Sequence, residues 1–100
     1  NQQVRINAAY IDKEKRLRQF ALYAFSSLED TDISNRAPLK LIPTVSDSLD
    51  YVLALSLLPQ SGKELYIGLT AVDINNVESE ISILQKLERA SEKAEWETVK

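Results

Sequence analysis

The sequence predicts an α+β fold in which two long helices flank a short antiparallel sheet. Three observations lead to this prediction. Apolar residues recur at helical spacing over residues 4–28 and again over 75–97. Two alternating apolar runs, 51–58 and 65–72, flank a short turn-forming segment, as expected for a central hairpin. An all-α fold is the alternative, because residues 46–58 also fit helical spacing and the sequence alone does not decide between strand and helix there.

The predicted N-terminal helix has two apolar faces. The stronger face consists of residues spaced about 3.6 apart: Ile6, Tyr10, Leu17, Phe20, Ala21, Ala24 and Leu28. Within it, the steps from Ile6 through Tyr10, Lys13, Leu17 and Phe20 alternate by four and three, as in a coiled-coil seam. A weaker second face carries Val4, Ile11, Leu22 and Phe25. We therefore expect this helix to pack against its own sheet on one side and a partner on the other.

The middle of the chain predicts an antiparallel sheet of two or three strands. Pro38 and Pro43 exclude a helix and favour an edge strand or extended connector. Residues 59–62 supply a turn between the two apolar runs. In the second run Leu65, Ile67, Leu69 and Ala71 alternate with Tyr66, Gly68, Thr70 and Val72. A glycine inside a strand indicates a bulge or a close approach of another group, and Gly68 is such a residue.

The predicted C-terminal helix begins near residue 75, where Asp73 or Asn75 can cap it. Its apolar residues form two adjacent faces, one with Ile74, Val77, Ile81 and Leu84 and the other with Ile83, Leu87, Ala90 and Ala94. Beyond Leu87 charged residues dominate, so this end is expected to project from the sheet or to pair with another helix.

Composition restricts the chemistry that this chain can perform. Its 100 residues suffice for one domain, predicted as a helix over 1–30 that leads into an α/β head over 37–97. Cysteine and histidine are absent, which removes thiol and histidine catalysis and the usual zinc ligands. No glycine-rich phosphate loop is present. We therefore predict no enzymatic activity and no cofactor or metal, and the net charge of −3 argues against nucleic-acid binding.

These observations favour a non-enzymatic protein–protein association module, expected to be a homodimerising scaffold or assembly domain of a larger complex. The unused apolar faces of the two helices, together with Lys13 in the seam and the single tryptophan, give the predicted interface: Ile11, Lys13, Leu17, Leu22, Phe25, Ile83, Leu87, Ala90 and Trp96. The basic cluster Lys13, Lys15, Arg16 and Arg18 is either a docking site for an acidic partner or a solvated surface.

The alternative function is an extracytoplasmic sensor or assembly domain, joined to a membrane only through segments outside this sequence. The longest apolar runs fall well short of the ~20 residues that a membrane-spanning helix needs. Because the chain lacks cysteine, a cytoplasmic location is favoured over an extracytoplasmic one.

Overall fold

The chain folds almost entirely into β-strands. A computed structural model describes residues 3–10, 16–44, 48–59 and 61–99. Those residues form seven strands: β1 (Gln3–Ala9), β2 (Leu17–Phe25), β3 (Lys40–Pro43), β4 (Ser48–Ala54), β5 (Glu64–Asp73), β6 (Ser82–Glu88) and β7 (Glu97–Val99). The one helical element among them is the short 3-10 turn Leu55–Leu57. The predicted α+β fold, its all-α alternative and the coiled coil are therefore all wrong.

The strands form two antiparallel sheets. β1 pairs with β4 in a two-stranded sheet, and the other five strands form a larger sheet in the order β3-β2-β5-β6-β7. The predicted central hairpin is wrong, because β4 and β5 lie in different sheets and do not pair with each other. Lys40–Pro43 does form an edge strand, which is the position that proline tolerates.

The main core lies between the two sheets. In β1 the side chains alternate, so that Val4 and Ile6 are buried while Gln3, Arg5 and Asn7 are exposed. The smaller sheet contributes Val4, Ile6, Leu49 and Leu53 to this core, and the larger sheet contributes Phe20, Leu22, Leu65, Ile67, Leu69, Ala71 and Leu87. Burial of these apolar faces against each other supplies the main stabilising energy of a two-layer fold.

A second apolar cluster covers the outer face of the larger sheet. Tyr23, Phe25 and Val72 are buried there beneath Ile33 and Ile81, which come from the connections around the sheet. The Phe25 ring also lies 4.8 Å below the Arg36 guanidinium, within range of a cation–π interaction. β2 and β5 are therefore buried on both faces, and at Gly68 the Phe25 and Ile81 side chains leave no room for a β carbon.

Two β-bulges account for the helix-like spacing in the sequence. Leu17 pairs with Asp73 and Gln19 with Val72, which leaves Arg18 as an extra residue in β2. Leu84 is likewise an extra residue in β6. A bulge shifts the alternation by one position, so residues three apart reach the same side of the sheet. Leu17 with Phe20, and Leu84 with Leu87, contact the main core in this way, although helical spacing predicted two helices.

No helix in the described parts of the chain is long and apolar enough to cross a membrane.

Candidate functional site

Hydrogen bonds bring together Arg16, just before β2, Thr44, just after β3, and the β5–β6 turn over residues 73–81, and we call this place the loop end. The Ile74 amide donates to the Arg16 carbonyl at 2.9 Å, and the Thr44 amide donates to the Arg18 carbonyl at 3.2 Å. Arg18 Nη1 also donates to Asn76 Oδ1 at 2.8 Å across the loop end. The β5–β6 turn is thus anchored to β2.

The β5–β6 turn has a fixed backbone. Asp73 Oδ1 accepts hydrogen bonds from the amides of Asn75 at 2.8 Å and Val77 at 3.0 Å. The Asn76 amide donates to the Asp73 carbonyl at 3.0 Å, and the Asp73 amide donates to the Val77 carbonyl at 3.1 Å. Asn76 has a φ of 63°, a left-handed conformation that asparagine tolerates better than most residues. The sequence Asp-x-Asn-Asn is therefore well suited to this turn.

This rigid turn presents two apolar side chains to solvent. Ile74 and Val77 each remain 61% exposed, the highest values among the large hydrophobic residues that the structure describes. The turn holds them three positions apart, on a backbone that is hydrogen-bonded on both sides. Apolar side chains already held in place lose little conformational entropy when a partner covers them. Their exposure on a fixed backbone makes this turn the candidate site.

A polar network supports the turn from below. Glu78 Oε2 accepts hydrogen bonds from Tyr23 Oη at 2.8 Å and from Thr70 Oγ1 at 2.6 Å. Burial, followed by the hydrogen bond to the Glu78 carboxylate, raises the pKa of Tyr23 to about 12. The Ser79 amide and hydroxyl continue the support through bonds to the backbone of Ala71. At neutral pH Tyr23 therefore stays a phenol that donates to Glu78, and this network serves to position the turn.

The exposed residues and the fixed backbone of the loop end are suited to binding. Within the described residues, no group of three or more acidic, histidine or cysteine side chains is arranged to hold a metal ion. The Glu78 oxygen that faces the sheet is already engaged by two hydroxyl groups. The exposed residues of the β5–β6 turn include the aliphatic pair Ile74 and Val77, beside the Arg18–Asn76 contact, and the acidic residues Glu78 and Glu80.

A second cluster lies at the opposite end of the sandwich. The Arg89 side chain is 5% exposed, and its Nε donates to the Gly62 carbonyl at 2.7 Å. Its guanidinium lies 4.3 Å from the Trp96 ring, while Trp96 Nε1 donates to the Pro59 carbonyl at 3.2 Å. Arg89 Nη2 has no hydrogen-bond partner among the described residues, but it is shielded from solvent. These contacts tie the β4–β5 connection to the segment before β7, which is a structural role.

The structure places four of the nine residues of the predicted interface inside the fold. Leu22, Phe25 and Leu87 are 0% exposed and belong to the two apolar clusters, and Trp96 is also buried. They were predicted as an interface because helices would have left them uncovered, whereas in the sandwich the chain's own strands and connections cover them. Leu22, Phe25 and Leu87 are therefore not accessible to a partner in the folded chain.

The remaining predicted interface residues are scattered. Leu17 is half-buried against the main core, whereas Ile83 and Ala90 are exposed on and after β6. Ile11 and Lys13 lie outside the described residues. The same holds for Lys15 of the basic cluster, while its other members, Arg16 and Arg18, are exposed at the loop end. The structure therefore does not bring the predicted interface together as one surface.

Ile74 and Val77 were assigned to the apolar face of the C-terminal helix, and their exposure was not predicted. Asp73 or Asn75 was interpreted as the cap of that helix. Aspartate and asparagine are also typical of a tight turn between strands, and that was the available signal. Nothing in the sequence pattern distinguishes an exposed aliphatic pair on a turn from a buried pair on a helix.

Comparison with known proteins adds no relative. No protein-family model matches the chain, and neither a curated protein nor a solved structure matches it. Any functional inference for this chain therefore depends on its own residues.

Proposed function

We propose that this chain is a non-enzymatic protein-association module that binds a partner protein through the loop end. The observation that supports the proposal is the pair Ile74 and Val77, held 61% exposed on a turn whose backbone is fixed by Asp73. The buried centre of a protein interface is more apolar than the surrounding surface. Polar side chains such as Arg18 and Asn76 beside this pair form part of the rim.

The alternative assignment to a membrane-anchored sensor stays a prediction, since it concerns segments outside this sequence. The predicted homodimer also stays a prediction. Binding through the loop end does not require it, since a module of this kind can bind a different protein as a monomer.

The proposal is tested by comparing two matched double variants in capture experiments. Ile74→Asp with Val77→Asp removes both anchors, while Leu41→Asp with Leu57→Asp changes two exposed aliphatic residues away from the loop end. Proteins captured by the unmodified chain are purified and titrated by calorimetry against the unmodified chain and against both double variants. Loss of two anchors of about 1–2 kcal/mol each should weaken binding about 30- to 700-fold.

Urea unfolding of both double variants serves as the folding control, because exposed positions should change stability only slightly. A partner whose affinity is the same for the loop variant and the unmodified chain would contradict the proposal. Equal loss of binding in the loop and control variants would also contradict it, since the effect would then not depend on Ile74 and Val77.

A further inference from the structure

Among the described residues, β1 of the two-stranded sheet has a partner strand along one edge only. In the larger sheet the edge strands are short: β3 has four residues, including Lys40 and Pro43, and β7 has three. β1 and β4 have seven residues each, contain no proline, and pair only with one another among the described residues. A regular edge strand of this length, without proline or a bulge, is a template for another strand.

β1 is distinguished from β4 by a groove at its start. The groove has a volume of about 490 Å³ and is lined by Gln3 and Val4, by Leu55, and by residues 95–98. Trp96 is among these, and the carboxylates of Glu95 and Glu97 contribute negative charge. An additional strand beside β1 would therefore meet a space that can accept a side chain with a hydrogen-bond donor.

We propose that β1 pairs with β1 of a second copy of this chain, antiparallel about a two-fold axis. The two small sheets would then join into one four-stranded sheet, which satisfies the free edges of both β1 strands. This surface does not include Ile74 or Val77, so the inference goes beyond the proposed function and does not depend on it.

The length of β1 sets the register of this pairing. All seven residues pair when Ile6 lies opposite Ile6 of the second copy, with Arg5 opposite Asn7 and Gln3 opposite Ala9. Side chains on the buried face of one β1 then lie opposite side chains on the buried face of the other β1, as sheet pairing requires. No like charges meet, because Arg5 is the one charged side chain in β1 and it already forms a 2.6 Å ion pair with Asp50.

Tyr10 of the second copy is the side chain that would enter the groove. It follows β1 and is 38% exposed. In the antiparallel register, Tyr10 of the second copy passes just beyond Gln3, where the groove begins. Its ring can occupy part of that space, and its hydroxyl can donate to the Glu97 carboxylate. The two-fold axis repeats the contact, so that both grooves are filled in the same way.

A charged side chain at position 7 should change the stability of the monomer and the stability of the dimer in opposite directions. Asn7 lies opposite Asp50 of its own chain and would lie opposite Arg5 of the second copy. Asn7→Lys should therefore stabilise the monomer and weaken the dimer, whereas Asn7→Glu should do the reverse. Two symmetric like-charge pairs should raise the dimer dissociation constant about 2- to 30-fold in Asn7→Lys.

Sedimentation equilibrium of the full chain at low salt, from micromolar to millimolar concentration, gives the dissociation constants, and urea unfolding reports folding. Tyr10→Ala should weaken the dimer, whereas Leu28→Ala, at another exposed apolar position, should leave it unchanged. A chain that stays monomeric throughout overturns the inference. So does a dimer with the same dissociation constant in Asn7→Lys and Asn7→Glu. If the Ile74→Asp, Val77→Asp variant still forms the dimer, the dimer surface is separate from the one that contains Ile74 and Val77.

Discussion

Replacing Gly68 with alanine should destabilise the fold, because the outer face of the larger sheet has no room for a methyl group at this position. A β carbon there would lie 2.8 Å from Ile81 Cδ1, and 2.9 Å from both Ile81 Cγ1 and Phe25 Cε2. Carbon atoms pack favourably at about 3.5–4.0 Å, so both neighbours would have to move. Overpacking costs about 1–3 kcal/mol, and the reduced freedom of the unfolded chain offsets about 0.4–1 kcal/mol. We expect a net loss of about 1–2 kcal/mol in the free energy of unfolding.

The assay is urea unfolding followed by the fluorescence of Trp96, which is buried against the main core. A double-mutant cycle with Ile81→Ala identifies the cause, because that substitution removes both Ile81 atoms nearest the new methyl group. The cost of Gly68→Ala should fall by at least about 0.5 kcal/mol in the Ile81→Ala background, since contacting residues are not additive.

Gly62→Ala is the matched control. Gly62 has a φ of 83°, and the nearest atom to its added β carbon is the Glu64 carbonyl oxygen at 4.0 Å. Its cost, about 1–2 kcal/mol, would come from backbone strain and should not change with Ile81→Ala. The reasoning about close packing is refuted if Gly68→Ala unfolds at the same urea concentration as the unmodified chain. It is also refuted if its cost is the same with and without the Ile81 side chain.

Three further perturbations test the polar contacts. Because the pKa of Tyr23 is about 12 in the fold and about 10 in the unfolded chain, the unfolded state loses its proton first as pH rises. The free energy of unfolding should therefore fall between pH 10 and 12, and less so in Tyr23→Phe, as measured by urea titrations across that range. Asp73→Ala removes an acceptor for two amides of the β5–β6 turn and should cost about 1–3 kcal/mol, with faster hydrogen exchange at Val77. Arg89→Ala removes a buried hydrogen bond and the contact with Trp96, and should cost about 2–4 kcal/mol in the same unfolding assay.

Part of the sheet structure could be predicted from the sequence. The alternation over residues 65–72 correctly separated the side chains that face the main core from those on the outer face. Pro43 correctly indicated an edge strand, and Gly68 correctly marked a close approach beside a bulge. These features depend on residues whose local conformation is restricted, so a single sequence carries the information.

The two predicted helices could not be excluded from the sequence alone. β2 is buried on both faces, so its sequence lacks the polar alternation that usually identifies a strand. Its bulge at Arg18 then sets Leu17 and Phe20 three positions apart on one face, which is also the spacing of a helix. In β1, by contrast, the alternation of Val4 and Ile6 with polar residues was present, but it was assigned to the same helix.

The candidate site was also only partly predictable. The turn-forming residues at positions 73–76 were visible in the sequence, but their role depended on whether strands or a helix followed. The hydroxyl groups of Tyr23 and Thr70 meet at Glu78 only because β2 and β5 are neighbours in the sheet. Such a contact joins residues far apart in the chain, and no local pattern reports it.

The pairing of β1 with β4 has a consequence for how the chain folds during synthesis. Partners in this sheet are separated by about forty to fifty residues in the sequence. At a synthesis rate of about 5–20 residues per second, β1 would emerge about 2–10 seconds before its partner strand is available. Closing such a long loop makes the contact entropically unfavourable until the main core begins to form. We therefore expect the small sheet to be completed late, with β1 left without its partner strand in the interval.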